Sequence, residues 1–157
     1  MTSSAAVTSG TTGIARFNCD DTQFAISTDG NAYVQDCGVY YQTNQNMVAP
    51  DSTAWVRNLP IGANGKSMDP VTKYSFRDCI DHCDEYNSKR GTKDSACYAV
   101  SYYANLTWAF SRWPGNCFLK NGRGNGTSTG DGTEDWEHTA SAYKNCLNGD
   151  NGCAGDS

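Results

Sequence analysis

The chain has 157 residues and a net charge of −5 at neutral pH, and its basic residues are scattered, with no run longer than the pair Lys89-Arg90. Nucleic-acid binding needs clustered Lys and Arg, so the composition argues against a nucleic-acid partner. No apolar run approaches the roughly 20 residues that span a bilayer, which argues against membrane insertion. The N-terminus lacks a basic stretch followed by an apolar core, so we expect a mature chain without a signal peptide.

Small polar residues and cysteines dominate the composition. Gly, Asn, Ser and Thr supply 59 of the 157 residues, and charged residues only 18%, against roughly 25% in typical domains. The chain also has eight cysteines. Disulfides persist in oxidising compartments, so this composition predicts an extracellular or cell-surface protein. The sequons at Asn105 and Asn125 agree with that location and predict N-glycans on loop-like segments.

The sequence predicts one domain between two tails. Residues 1–13 form a Ser/Thr-rich segment with little to bury, which we expect to be a flexible tail. Residues 14–146 contain the apolar patterns of a folded domain. Residues 147–157 are turn-like, and we expect Cys146 and Cys153 to tether them.

The first predicted elements are two strand-like runs at residues 24–27 and 32–35. The Asp29-Gly30 pair between them is typical of a hairpin turn, because both residues tolerate positive φ. The second run continues towards Tyr41 with a kink near Gly38. The following segment is mostly loop, with one short strand predicted around Trp55.

Residues 75–89 carry every signal of a helix. Ser75 is a good N-cap, and Gly91 provides a stop after the basic last turn. One apolar stripe repeats at helical spacing and comprises Phe76, Cys79, Ile80 and Cys83, with Tyr86 or Asn87. Off this stripe we expect a solvated polar face made of Asp81, His82, Asp84 and Glu85.

Three further strands are predicted after the helix, at residues 96–103, 116–120 and 136–143. An aromatic insertion, NLTWAFSRWPG, separates the first two of them. A Gly/Thr-rich loop at residues 121–135 precedes the third. It lacks the G-K-[ST] ending of a phosphate-binding loop.

The spacing of Cys79 and Cys83 restricts their disulfide partners. On a regular helix their Cβ atoms lie roughly 5–6 Å apart, whereas a disulfide needs roughly 3.5–4.5 Å. Each therefore needs a partner on whatever the helix packs against, and Cys97 and Cys117 are the natural candidates. The other four cysteines, Cys19, Cys37, Cys146 and Cys153, can pair among themselves in three ways.

These features together resemble the PAN/Apple domain superfamily. The resemblance is carried by the C-x3-C helix followed by SACYAVSYY, NCFLKN and HTASAYKN, and it covers residues 19–146. The upstream CDDTQFAISTDGNAYVQDCGVYYQ is similar to the N-terminal strands of fungal Apple-like extracellular domains. The resemblance implies a disulfide-stapled α+β fold in which one helix packs on a curved antiparallel sheet.

The resemblance also implies disulfide partners and a role. The helix cysteines would bond in nested fashion, Cys79 to Cys117 and Cys83 to Cys97. A further bridge would join Cys146 to Cys19 or Cys37 and so close the first strand onto the last. The implied role is non-enzymatic binding of proteins or carbohydrates.

Catalysis and metal binding find little support in the residues. Cys79, His82 and Cys83 are close in sequence, but structural zinc sites usually add a second close pair, and the later cysteines are isolated. No G-x-S-x-G elbow or thiol-protease signature is present. The acidic residues of the later loops lack EF-hand spacing. We therefore expect no enzymatic activity, no cofactor and no metal.

Aromatic residues give the best functional lead. The candidate ligand-binding residues are Tyr102, Tyr103, Trp108, Arg112 and Trp113, because Trp and Tyr stack on sugar rings and anchor protein interfaces. The alternative is that these rings form a small core beneath their own loop. Trp55 and Trp136 are expected to be core or sheet-packing residues.

Two functions fit these observations. The first is an extracellular recognition module that binds a glycan or an extracellular protein. The alternative is a structural subunit of a self-assembling wall, matrix or filament, in which copies of the chain associate with one another.

Overall fold

The computed structural model describes residues 7–41, 43, 46–48, 53, 55–59, 70–89, 96–124 and 138–145. These residues form an α+β fold with five strands and two helices. The elements in chain order are β1 (Phe24–Ile26), β2 (Ala32–Cys37), α1 (Phe76–Lys89), β3 (Ala99–Tyr103), α2 (Leu106–Phe110), β4 (Cys117–Lys120) and β5 (Thr139–Lys144). The strands make one antiparallel sheet in the order β1-β2-β5-β3-β4. The predicted α+β class is therefore confirmed.

The β1–β2 hairpin forms where its turn residues predict it. Gly30 adopts φ +89°, and its amide donates to the Ser27 carbonyl at 2.9 Å. Strand β2 ends at Cys37, and Gly38 follows with φ +76°. The Gly38 amide then donates to the Thr139 carbonyl at 2.8 Å. The kink predicted at Gly38 thus ends the strand pairing and turns the chain across the sheet.

Helix α1 begins as its N-cap residue predicts, and Gly91, the predicted stop, lies outside the described residues. The Asp78 amide donates to Ser75 Oγ at 3.0 Å, so Ser75 is the N-cap. The predicted stripe is buried, from Phe76 at the first residue to Cys83 two turns later. It packs against β3 and β4 and shares a core with the fully buried Tyr33, Tyr102 and Leu119. Apolar burial against the sheet therefore provides most of the stability of this helix.

The polar face predicted for α1 is wrong at Asp84. Asp84 is only 6% exposed, and its carboxylate accepts a hydrogen bond from the Tyr33 hydroxyl at 2.6 Å. The Asp81 carboxylate accepts from the amide and the hydroxyl of Thr28 at 2.7 and 2.8 Å. Both carboxylates face the β1–β2 hairpin, since Thr28 lies in its turn and Tyr33 in its second strand. They attach the hairpin to α1.

His82 is also not a solvent-facing residue. Its side chain is 19% exposed, and its Nδ1 lies 4.0 Å from the Glu85 carboxylate. Burial is the largest cause that lowers the pKa of His82, and the nearby Lys73 lowers it further. The imidazole is therefore partly buried. Glu85, in contrast, pairs with Lys89 at 3.0 Å in solvent.

Three disulfides join the described residues: Cys19–Cys37, Cys79–Cys117 and Cys83–Cys97. The last two attach α1 to β4 and to the segment before β3, and they are the pairs that the resemblance implies. The expectation that Cys19 or Cys37 bonds to Cys146 is wrong. The chain folds back after Cys19 so that the two Cα atoms lie 5.8 Å apart, and this bridge closes the hairpin locally. Cys146 and Cys153 lie outside the described residues.

Loops and α2 cover the sheet face that α1 leaves free. Side chains alternate along β3, so Val100 and Tyr102 face α1 while Ser101 and Tyr103 face the other side. All five β3 residues are buried, which shows that both faces are covered. The Ser101 and Ser141 hydroxyls lie 2.8 Å apart on this second face. They also bond the backbone of residues 39 and 41, and so attach that loop to the sheet.

Residues 7–13 pack on the domain, although their composition predicts a flexible tail. The Gly13 amide donates to Thr107 Oγ1 at 2.9 Å, and the Leu106 amide donates to the Gly13 carbonyl at 2.8 Å. The Tyr74 hydroxyl reaches the Gly10 carbonyl at 3.0 Å. These hydrogen bonds, which composition does not reveal, connect residues 7–13 to α2 and to Tyr74. Within the described part of the chain, neither helix is long and apolar enough to cross a membrane.

Candidate functional site

A short helix, α2, begins the aromatic insertion. Its N-cap is Asn105, whose side chain accepts a hydrogen bond from the Trp108 amide at 3.1 Å. The helix turns Leu106 and Ala109 into the protein and leaves Trp108 half-buried. We predicted no helix here. The signal that would have indicated it is an Asn in the N-cap position before a short apolar run.

Four rings from this segment and the sheet form what we call the aromatic cluster: Tyr103, Trp108, Trp113 and Phe118. The Tyr103 ring centroid lies 5.5 Å from Trp108 and 5.1 Å from Trp113. Trp108 and Trp113 meet edge to face at 5.4 Å. Tyr103 and Phe118 are buried, whereas the two indoles are only partly buried. The cluster is therefore a satellite core whose outer layer is tryptophan.

Arg112 lies at the solvent side of the aromatic cluster. Its guanidinium carbon is 4.2 Å from the centroid of the Trp108 ring, within cation–π range. The side chain is exposed, and one guanidinium nitrogen donates to Ser111 Oγ at 3.0 Å. The Trp108–Arg112 pair thus places an aromatic surface beside hydrogen-bond donors that a carboxylate or hydroxyl can use.

Tyr102 does not belong to this surface, in contrast to our prediction. It is fully buried on the α1 side of the sheet, where its ring stacks on Phe76 at 5.8 Å and on Phe17 at 6.5 Å. Burial raises the pKa of its hydroxyl above the ordinary value. The reason is strand alternation, since Tyr102 and Tyr103 are consecutive and must face opposite sides of the sheet. The structure therefore brings together Tyr103, Trp108, Arg112 and Trp113 only.

Trp55 is also placed differently from our prediction. It was expected to pack in the core or on the sheet, yet it is 50% exposed. Its carbonyl accepts a hydrogen bond from the Asn121 side chain at 3.1 Å, so the backbone is held while the indole stays in solvent. Trp136, for which the same expectation was made, lies outside the described residues.

The burial of Lys120, the last residue of β4, was not predicted from the sequence. Lys120 is 4% exposed on the face opposite α1, and its ammonium donates to Asn58 Oδ1. Burial lowers the pKa of Lys120 from 10.5 to about 7. Its place in the run NCFLKN resembles an exposed strand end, so no local signal indicates its burial.

Comparisons with protein-family models, with curated proteins and with solved structures found no match. Within the described ranges, no group of three or more His, Cys, Asp and Glu side chains lies close enough together to hold a metal ion.

Asn105 is expected to carry an N-glycan, and its side chain also caps α2. In material secreted by eukaryotic cells, Asn105→Gln should lose one glycan and also destabilise α2, since Gln is a poor N-cap; the cost is about 1 kcal/mol. Asn105→Asp should lose the same glycan but keep the cap. Intact mass of the wild type and both variants before deglycosylation measures the lost glycan, and thermal unfolding after deglycosylation measures the effect on the cap. Equal thermal midpoints for the two variants would contradict the capping role. Asn125 lies outside the described residues.

Proposed function

We propose that this protein is a non-enzymatic extracellular recognition module of the PAN/Apple type, which binds a glycan or an extracellular protein through the aromatic cluster and Arg112. The observation that carries the proposal is the contact of the Arg112 guanidinium with the Trp108 ring at the solvent edge of the cluster. Trp, Tyr and Arg are the residue types enriched at binding hot spots.

The packing beneath Trp108 supports this assignment. Tyr103 is 5% exposed, and its buried ring contacts both indoles. An aromatic anchor that is already held in one orientation loses little conformational entropy when a ligand binds. Trp113 contacts three other rings, so we assign it to support rather than to direct contact.

Other features agree with the PAN/Apple assignment and with an extracellular location. One main helix is fastened to a five-stranded antiparallel sheet by Cys79–Cys117 and Cys83–Cys97, the nested arrangement that the resemblance implies. Disulfides of this kind persist outside the cytosol.

The experiment is a screen of the deglycosylated protein against glycan and extracellular-protein arrays, followed by variants. Trp108→Ala and Arg112→Gln should each weaken binding of any captured ligand at least about tenfold, or about 1.4 kcal/mol. Trp55→Ala is the matched control, because it removes an exposed indole elsewhere and should leave the affinity unchanged.

Folding is checked separately, because Trp108 is partly buried. Arg112 is exposed, so Arg112→Gln should cost at most the cation–π contact with Trp108, about 0.5–1 kcal/mol, and should leave the core packing intact. Full binding by Arg112→Gln and Trp108→Ala together would remove this surface from consideration.

A further inference from the structure

A cleft of about 1080 Å³ lies away from the aromatic cluster, where α1 begins. The segment before β1 contributes Arg16 and Asn18 to its lining, and the first turn of α1 contributes Arg77 and Asp78. The β1–β2 hairpin contributes Ile26 on the remaining side. Three separate parts of the chain therefore converge on one concave surface.

Both arginines of this cleft lack a protein partner within the described residues. Neither guanidinium makes a hydrogen bond or an ion pair there, although the chain carries a net charge of −5. Both side chains are exposed. The cleft lining places two guanidinium groups beside one carboxylate, that of Asp78, and this excess of positive charge in an acidic protein favours an anionic ligand. Guanidinium matches a carboxylate in bidentate geometry.

The backbone beneath these arginines is held on both sides of the cleft. The Arg16 amide donates to the Tyr74 carbonyl at 3.1 Å, and the Tyr102 hydroxyl donates to the Arg16 carbonyl at 3.3 Å. Arg77 lies in the helical turn that Ser75 caps. The backbone that carries both arginines is therefore fixed before a ligand binds, so binding has to order only the two side chains.

The rest of the lining indicates the kind of molecule that carries the carboxylate. Asn18, Ser75 and Asp78 offer amide, hydroxyl and carboxylate groups that bind sugar hydroxyls. Ile26 is 49% exposed and offers an apolar surface to the C–H face of a sugar ring. Alternating hydroxyl and C–H surfaces distinguish a saccharide from a simple anion.

We infer that this cleft is a binding site for a carboxylate-bearing saccharide, with Arg16 and Arg77 as the carboxylate-binding residues. The site is separate from the aromatic cluster, so it goes beyond the proposed function and can be tested independently of it.

The experiment is calorimetric titration of the full chain with trigalacturonate and with its fully methyl-esterified form, which is the same saccharide without charge. The acid should bind at least about tenfold more tightly than the ester. Arg16→Gln and Arg77→Gln should each weaken acid binding about tenfold. Arg57→Gln is the matched control, because it removes an exposed charge outside the cleft and should leave the affinity unchanged.

Three results would overturn the inference. These are equal affinity for the acid and the ester, no binding of the acid by the wild type, and an equal loss in Arg57→Gln and Arg77→Gln. The first two need only the wild-type protein, so the test does not depend on how a variant folds. Arg112→Gln should bind trigalacturonate like the wild type, which separates this cleft from the Trp108 surface.

Discussion

Replacing Cys79 and Cys117 together by alanine is expected to lower the free energy of unfolding by about 3–4 kcal/mol. The bridge spans 38 residues, the largest sequence separation among the three disulfides of the described residues. Opening a longer loop returns more conformational entropy to the unfolded chain. Both sulfurs are also fully buried between α1 and β4, so the replacement leaves a small cavity in the core.

The matched control removes Cys19 and Cys37 in the same way. That bridge spans 18 residues and is only partly buried, so its loss should cost less than that of Cys79–Cys117. Urea unfolding followed by circular dichroism measures both variants, and the midpoints give the order. An equal or larger loss of unfolding free energy in the Cys19/Cys37 variant would contradict the expectation that Cys79–Cys117 stabilises the fold more than Cys19–Cys37 does.

Lys120→Met is expected to stabilise the protein at pH 7 by about 1–3 kcal/mol, because removal of the buried charge gains about 4 kcal/mol and loss of the hydrogen bond to Asn58 costs about 1–3 kcal/mol. Burial lowers the pKa of Lys120 from 10.5 to about 7, so the unfolded chain holds this proton more strongly than the folded protein does. Folding must either bury the charge or release the proton, and both cost free energy. Methionine fills similar space without a charge.

The same reasoning fixes the pH dependence. Wild-type stability should rise between about pH 7 and 10.5, at up to about 1.4 kcal/mol per pH unit, because the unfolded state binds more protons over that range. Below about pH 7 the penalty is complete and constant. The Lys120→Met variant should lack this rise.

The measurement is chemical denaturation of both proteins at intervals from about pH 6 to 9.5. Lys89→Met is the control, since Lys89 is 73% exposed in its side chain and pairs with Glu85 in solvent. It should keep the wild-type rise. Parallel curves for the wild type and Lys120→Met would show that Lys120 does not lose its proton on folding.

Local patterns predicted much of this fold. The N-cap Ser75 and the apolar stripe from Phe76 to Cys83 lie within one helix, so the sequence contains everything that positions them. The β1–β2 turn is likewise set by Gly30, whose positive φ the Asp-Gly pair favours. The separation of Cys79 from Cys83 excluded a bond between them before any partner was known.

The candidate site was predicted only in part, because closeness in sequence does not specify on which face of the sheet a side chain lies. Tyr102 and Tyr103 are adjacent in sequence, yet one stacks on Phe76 beneath α1 and the other supports Trp108. Strand alternation requires that they separate, but only the packed structure decides which of them faces the helix.

Sequence alone determined the features whose stabilising contacts are local: helix α1, its N-cap, the hairpin turn and the exclusion of a Cys79–Cys83 bond. Tertiary structure decided the positions whose environment comes from distant segments. Asp84 is buried because Tyr33 lies against it, Lys120 because loops cover its face of the sheet, and the Arg16–Arg77 cleft exists because the Tyr74 backbone holds the N-terminal segment beside α1. Burial of a polar group depends on what packs over it, and a contact between residues 50 or more apart leaves no periodic trace in the sequence.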